Sequence, residues 1–181
     1  MPVKWRASTR FGVKRGSGGQ ALPEFAMVAL LFFLLVFGVI QIGLVMAAQN
    51  GLVDGVRSAA RRVATYRINQ ASFDTQVWGE ICATVEEEIR SRLSDRVIGY
   101  NDLNLEHSIT YEWVQNPTGT EYFLVAHVFA KYDNPLYVPL ISAVLGGSDG
   151  TPDDILTLVA SEQMRVENPS LESPTATAPP C

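Results

Sequence analysis

The chain has 181 residues, room for one modest domain besides any segment that enters a membrane. Its net charge is −5 and unevenly divided: Lys4, Arg6, Arg10, Lys14 and Arg15 precede the first acidic residue, Glu24, and the remainder is acidic. An acidic domain is a poor partner for nucleic acid, because phosphate contacts need clustered Lys and Arg. There is no phosphate-binding loop, no Ser/His/Asp set and no metal-ligand spacing, so no catalytic residue, metal, cofactor or small-molecule substrate is expected.

In chain order, the basic leader ends in Gly16-Ser17-Gly18-Gly19. From Phe25 to Ala48 the only clearly polar side chain is Gln41. Such a run crosses about 30 Å of hydrocarbon as one helix at about 1.5 Å per residue. A basic flank stays cytoplasmic, which sends the rest of the chain outward. A secretory signal peptide has a shorter apolar core, about 7–15 residues, although Val45-Met46-Ala47 is a passable cleavage site. The unusual feature is Glu24, a carboxylate at the mouth of the apolar helix and five residues past a glycine. A plain anchor does not need it.

The basic leader, Gly19, Glu24, Phe25 and the apolar helix together resemble the N-terminus of type IV prepilins. The nearest likeness is to TadE/TadG-like minor pilins, or pseudopilins, of tight-adherence pili. Asp54-Gly55-Val56-Arg57-Ser58-Ala59-Ala60-Arg61-Arg62-Val63-Ala64 is similar to the alanine- and arginine-rich segment of that family. Leu156-Thr157-Leu158-Val159-Ala160-Ser161-Glu162-Gln163-Met164 is similar to its late strand. The resemblance implies a prepilin peptidase that cuts between Gly19 and Gln20, which makes Glu24 the fifth residue of the mature chain. Loss of the five leader cations takes the net charge from −5 to −10. It also implies that Glu24 and Phe25 serve assembly, Glu24 by meeting the N-terminal amine of a neighbouring subunit. The partners implied are the membrane, the peptidase, other pilins and the pilus assembly platform. Two simpler readings stand beside this one: Glu24 as an acid held by the positive end of the helix dipole, and Gly16–Gly19 as a flexible joint. Pro23 is acceptable in a first helical turn.

Beyond the membrane the helix is expected to continue from Ala47 to about Tyr66, with Val53, Val56, Ala60 and Val63 as its apolar stripe. Gly51 and Gly55 mark either a bend or the close approach of another helix. Arg57, Arg61 and Arg62 form the densest basic patch outside the leader. It suits lipid head groups, a neighbouring subunit or plain solvation. Asn69-Gln70-Ala71-Ser72 reads as a break, with Ser72 or Asp74 as a cap. A second helix is predicted over 73–97 on the stripe Phe73, Val77, Ile81, Val85, Ile89 and Leu93, joined by Trp78. Glu86 and Glu88 stand four residues ahead of Arg90 and Arg92, on its wet face.

After Gly99 the period changes from four to two. Ile109, Tyr111 and Trp113 alternate with Ser108, Thr110 and Glu112, a half-buried strand. Asn116-Pro117-Thr118-Gly119 fits a type I turn. A strand over 121–132 has apolar residues on both faces, which predicts a central strand covered on each side. These two strands are expected to form a hairpin ended by Asn134-Pro135. Val138–Leu145 is apolar, either a short helix or a packed loop, and a last strand is predicted over 155–166. Pro, Ser, Thr and Ala dominate from Asn168 onward, which predicts disorder. His107 and His127 stand alone on strands and read as packing or surface residues. Cys82 lies near the buried side of the second helix and Cys181 is the last residue given. In an exported domain a disulfide between them is allowed. The alternative is a buried Cys82 beside a free Cys181 thiol.

The fold class expected is α+β: a long N-terminal membrane-spanning helix extends into an exported domain, where one further amphipathic helix packs on an antiparallel sheet of about three strands. The divisions are a leader at 1–19, a membrane helix at 20–48, its extension at 49–70, the exported domain at 71–167 and a tail at 168–181. The function expected is a minor pilin in the assembly, initiation or tip of a tight-adherence pilus or related secretion system. It would be a single-pass protein of the inner (cytoplasmic) membrane, N-terminus inside, able to enter surface filaments. The alternatives are an uncut, signal-anchored envelope protein whose exported domain is a binding module, and an enzyme whose site is assembled from scattered polar residues.

Overall fold

The computed structural model describes residues 21–68, 76–115, 119, 122–138, 154–167 and 181. Gly19, Gln20, the Ser72 and Asp74 caps, most of the Asn116–Gly119 turn, the segment beyond Val138 and the tail other than Cys181 therefore lie outside the described residues. The chain forms two units, which divide between Val36 and Phe37.

Helix α1 is Ala21–Thr65. It is the one described helix long and apolar enough to cross a membrane. In the first unit its side chains are largely exposed, Leu22, Phe25, Met27, Leu30 and Phe33 among them. Pro23 sits in the first turn, where its missing N–H breaks no helical bond.

In the second unit α1 is a core element. Ala48, Leu52, Val56, Ala59, Ala60, Val63 and Ala64 are buried, and Val53 is only half-buried. Helix α2, Gln76–Ser94, packs against it. Its buried residues Trp78, Ile81, Val85, Ile89 and Leu93 recur at three- and four-residue steps. Val77, expected on that stripe, is 41 % exposed, because Trp78 takes the inward position. Phe73 lies outside the described residues. The helix stops at Ser94, short of the expected 97. Arg96 and Val97 both donate their N–H to the Leu93 carbonyl, and Gly99 then turns the chain at φ +67°.

Gly51 and Gly55 mark a close approach. A Cβ on Gly55 would stand 2.9 Å from the Ile89 Cα, and one on Gly51 would stand 3.0 Å from the Arg92 carbonyl oxygen. With no side chain in the way, the two backbones come together there.

A 3-10 turn at Asp102–Asn104 leads into a three-stranded antiparallel sheet in the order β1 (Leu105–Gln115), β2 (Tyr122–Pro135), β3 (Ile155–Arg165). Ile109 pairs with Val128, and Val128 with Glu162. The inward face carries buried Ile109, Tyr111, Leu124, Ala126, Val128, Ala130, Tyr132, Leu158 and Ala160. Trp78 of α2 meets Tyr111 edge-on at 5.7 Å.

β2 is central, as its two apolar faces implied, but one face is left partly open. On its outward face only Val125 is buried, and Phe129 is exposed. Long side chains dress this face in place of a second layer. Arg165 lies over the Phe123 ring at 5.2 Å, and Lys131 reaches Glu106 and Asp133 at 3.6 and 3.8 Å. The architecture is α+β.

Candidate functional site

Glu24 lies in the first turn of α1, where the free N–H groups of a helix start favour a carboxylate. Both Glu24 and Phe25 are exposed. No ion pair to Glu24 occurs among the described residues.

Two of the arginines that follow the apolar run are engaged within the domain. Arg62 reaches Glu88 at 3.1 Å, and Ser58 Oγ donates to the other oxygen of that carboxylate at 2.8 Å. Arg57 Nε lies 3.7 Å from Glu162 on β3. The expected Glu88–Arg92 pair on α2 is therefore replaced by a bond between helices. Glu86 keeps the expected partner, Arg90, at 2.6 Å, and Arg90 also meets Asp102 at 3.0 Å, which holds its guanidinium above the usual range. Arg61 is exposed and has no acidic partner among the described residues.

α1 is joined to the sheet end to end. Gln49 Nε2 donates to the Val159 carbonyl at 3.1 Å, and the Glu167 N–H donates to the Ala64 carbonyl at 3.0 Å. β3 thus runs along α1, which covers its otherwise open edge.

Gln41 is buried, and its Oε1 accepts the Tyr137 N–H at 3.0 Å. Sequence reasoning singled out Gln41 as the one polar side chain of the apolar run. It had no means to supply the partner, a backbone group 96 positions away.

Residues 19–61 match the family model of TadE-like proteins. This stretch of the chain is TadE-like. No curated protein and no solved structure matches. The TadE-like segment starts at Gly19 and takes in Glu24, the apolar part of α1, Gly51, Gly55, Arg57 and Arg61. The segment stops before α2 and the sheet, which no comparison covers.

The remaining titratable groups have packing surroundings. His107 is half-buried, and burial lowers its pKa against a weaker opposing pull from Glu86. Tyr111 is raised by burial. Tyr100, stacked on Tyr132 at 5.6 Å, is raised by burial and by the nearby Asp102 carboxylate. His127 lies 3.4 Å from Glu112 on the outward face. The structure pairs Cys82 with Cys181 as a disulfide, with Cα atoms 5.8 Å apart.

Proposed function

We propose that the protein is a minor pilin or pseudopilin of a tight-adherence pilus, cut by a prepilin peptidase between Gly19 and Gln20 and docked through Glu24 and Phe25. The observation that carries this reading is the TadE-like match, which begins at the glycine expected to precede the cut and includes the glutamate at the helix mouth. Exposure of Glu24 and Phe25 at the start of α1 supports it. The N-terminus stays in the cytoplasm under its five leader cations, and the second unit is exported. A carboxylate in lipid is expensive when single, so pairing with a neighbour's amine favours docking.

Glu24→Gln keeps size and removes charge. Cleavage and folding should survive, because the apolar core begins at Ala48, far along α1 from Glu24. Incorporation should fail, since an unpaired amine in lipid costs on the order of a few kcal/mol, about a hundredfold or more in docking. A helix-dipole contact alone predicts a loss of about 0.3–1 kcal/mol and near-normal assembly. The measurement is the amount of chain in sheared surface filaments, or crosslinked to other pilins, at equal membrane levels. Equal recovery of variant and parent would return Glu24 to an ordinary helix-end acid. Mass spectrometry of membrane-extracted protein tests processing: Gln20 should be the first residue, and an intact leader in cells that carry the peptidase would count against the cut.

A further inference from the structure

The second unit has an apolar rim at one end, built from two loops. The loop after α2 brings Ile98, and the 3-10 turn brings Leu103; these are 62 % and 89 % exposed. The segment after β2 brings Tyr137, 51 % exposed. The rim is one structure. Tyr137 Oη donates to the Ile98 carbonyl, the Asn101 N–H donates to Tyr132 Oη at 3.5 Å, and Asn104 Nδ2 donates to the Asp133 carbonyl at 3.0 Å. It lies at the end of the sheet where β1 begins and β2 finishes, at the pair Leu105–Tyr132.

The same end holds Gln41 of α1, through the Tyr137 N–H. C-terminal to it, from Ala48, α1 is packed; next to it, Val39, Ile40 and Ile42 are exposed. The unbroken apolar run that starts at Phe25 reaches Ile40. Gln41 is the first break in that run. It is also the first polar side chain after Glu24, and a backbone N–H from the domain satisfies its carbonyl.

We propose that this rim is a membrane-contact surface: Ile98, Leu103 and Tyr137 enter the headgroup layer of the bilayer that α1 crosses. The proposal rests on the reading of α1 as a membrane span. Lipid fits better than a protein partner because Tyr137 meets Gln41, and beside Gln41 the apolar Val39, Ile40 and Ile42 of the same helix are exposed. A tyrosine with an apolar body and a polar tip suits the headgroup level. Among the charges beside the rim, Arg96 is turned to Asp54 at 2.9 Å and Arg90 to Asp102 at 3.0 Å, while Asp95 is exposed, at a depth where the headgroup layer is still polar.

The test uses the full chain in phosphatidylethanolamine/phosphatidylglycerol vesicles, with an environment-sensitive fluorophore on single cysteines. The probe positions are Ile98→Cys, Leu103→Cys and Tyr137→Cys. Phe33→Cys is the deep reference, and Tyr122→Cys, at the opposite end of β2, is the distant one. The parent, with Cys82 and Cys181 bridged, gives the background. Lipids with a nitroxide at the headgroup or deep in the chain act as quenchers. The rim probes should be quenched by the headgroup nitroxide several-fold more than the Tyr122 probe, and the Phe33 probe by the deep one. If the Phe33 probe is quenched and the rim probes behave like Tyr122, the rim proposal fails and the membrane span stands. If the Phe33 probe is unquenched, both fall. Rim probes shielded only as protein density rises, without lipid quenching, would overturn the proposal in favour of a contact between copies. Ile98 and Leu103 are exposed, so their variants keep the test sound if Tyr137→Cys disturbs its loop.

Discussion

Gly55 decides how near α1 and α2 come. Alanine there would place its Cβ 2.9 Å from a backbone atom of Ile89, which no rotamer change relieves. Gly55→Ala should therefore destabilise by about 1–3 kcal/mol, in spite of the roughly 1 kcal/mol that alanine gains in a helix. Gly79→Ala on α2 meets nothing within 4 Å and should gain up to about 1 kcal/mol. Thermal melts of the two variants should shift in opposite directions. The sequence marked Gly51 and Gly55 as a bend or a close approach. It could not choose, because the obstacle to a side chain comes from α2, far along the chain. His107 gives a pH prediction. Burial lowers its pKa below 6.5, so at acid pH the unfolded chain binds the proton first. Its contribution to stability is complete above about pH 6.5 and declines as pH falls toward the lowered folded value. His107→Gln should flatten that decline in urea midpoints followed from about pH 8 to about pH 5. Equal slopes in parent and variant would remove His107 as its source.

At the scale of elements, the four-residue repeat of α2 and the two-residue repeat of β1 located both elements, because burial on one face imposes a period that composition displays. What the repeats could not reveal was which element lies opposite. Glu88 is the instructive case. Local spacing assigned it to Arg92, yet its carboxylate is held by Arg62 and Ser58 across the helix interface. That pair is better shielded than Glu86–Arg90, since the Glu88 side chain is only 16 % exposed. Glu88→Ala should cost about 1–2 kcal/mol, against about 0.5 kcal/mol or less for Glu86→Ala. A double-mutant cycle between Arg62 and Glu88 should find about 1 kcal/mol of coupling. Additive losses would mean that the two charges do not act together. The outer face of β2 shows the converse error. Its apolar residues suggested a second layer, but the face is partly open: the Arg165 guanidinium lies over the Phe123 ring, and Phe129 is exposed.

At the scale of the molecule, the disulfide between Cys82 and Cys181 spans a sequence separation of 99. For a loop of that size the chain-entropy account gives up to about 4–5 kcal/mol, and reduction should lower stability by about 2–4 kcal/mol. A non-reducing peptide map should recover the two cysteines in one crosslinked fragment, and free thiols at both would exclude the bridge. Sequence left the pairing open because nothing in the stretch before Cys181 shows where it leads. The union of α1 with β3 has a different consequence, one of time. The Val166 N–H bonds to the Leu124 carbonyl, and the Glu167 N–H to that of Ala64. The α1 stripe is thus made early and gains its β3 neighbours only when the chain beyond Val166 has been synthesised. About a hundred residues at roughly 5–20 per second leave that stripe waiting on the order of 5–20 s. During that interval α2, made some seventy residues before β3 is complete, is the first of the protein's own elements able to cover Leu52, Val56 and Ala60.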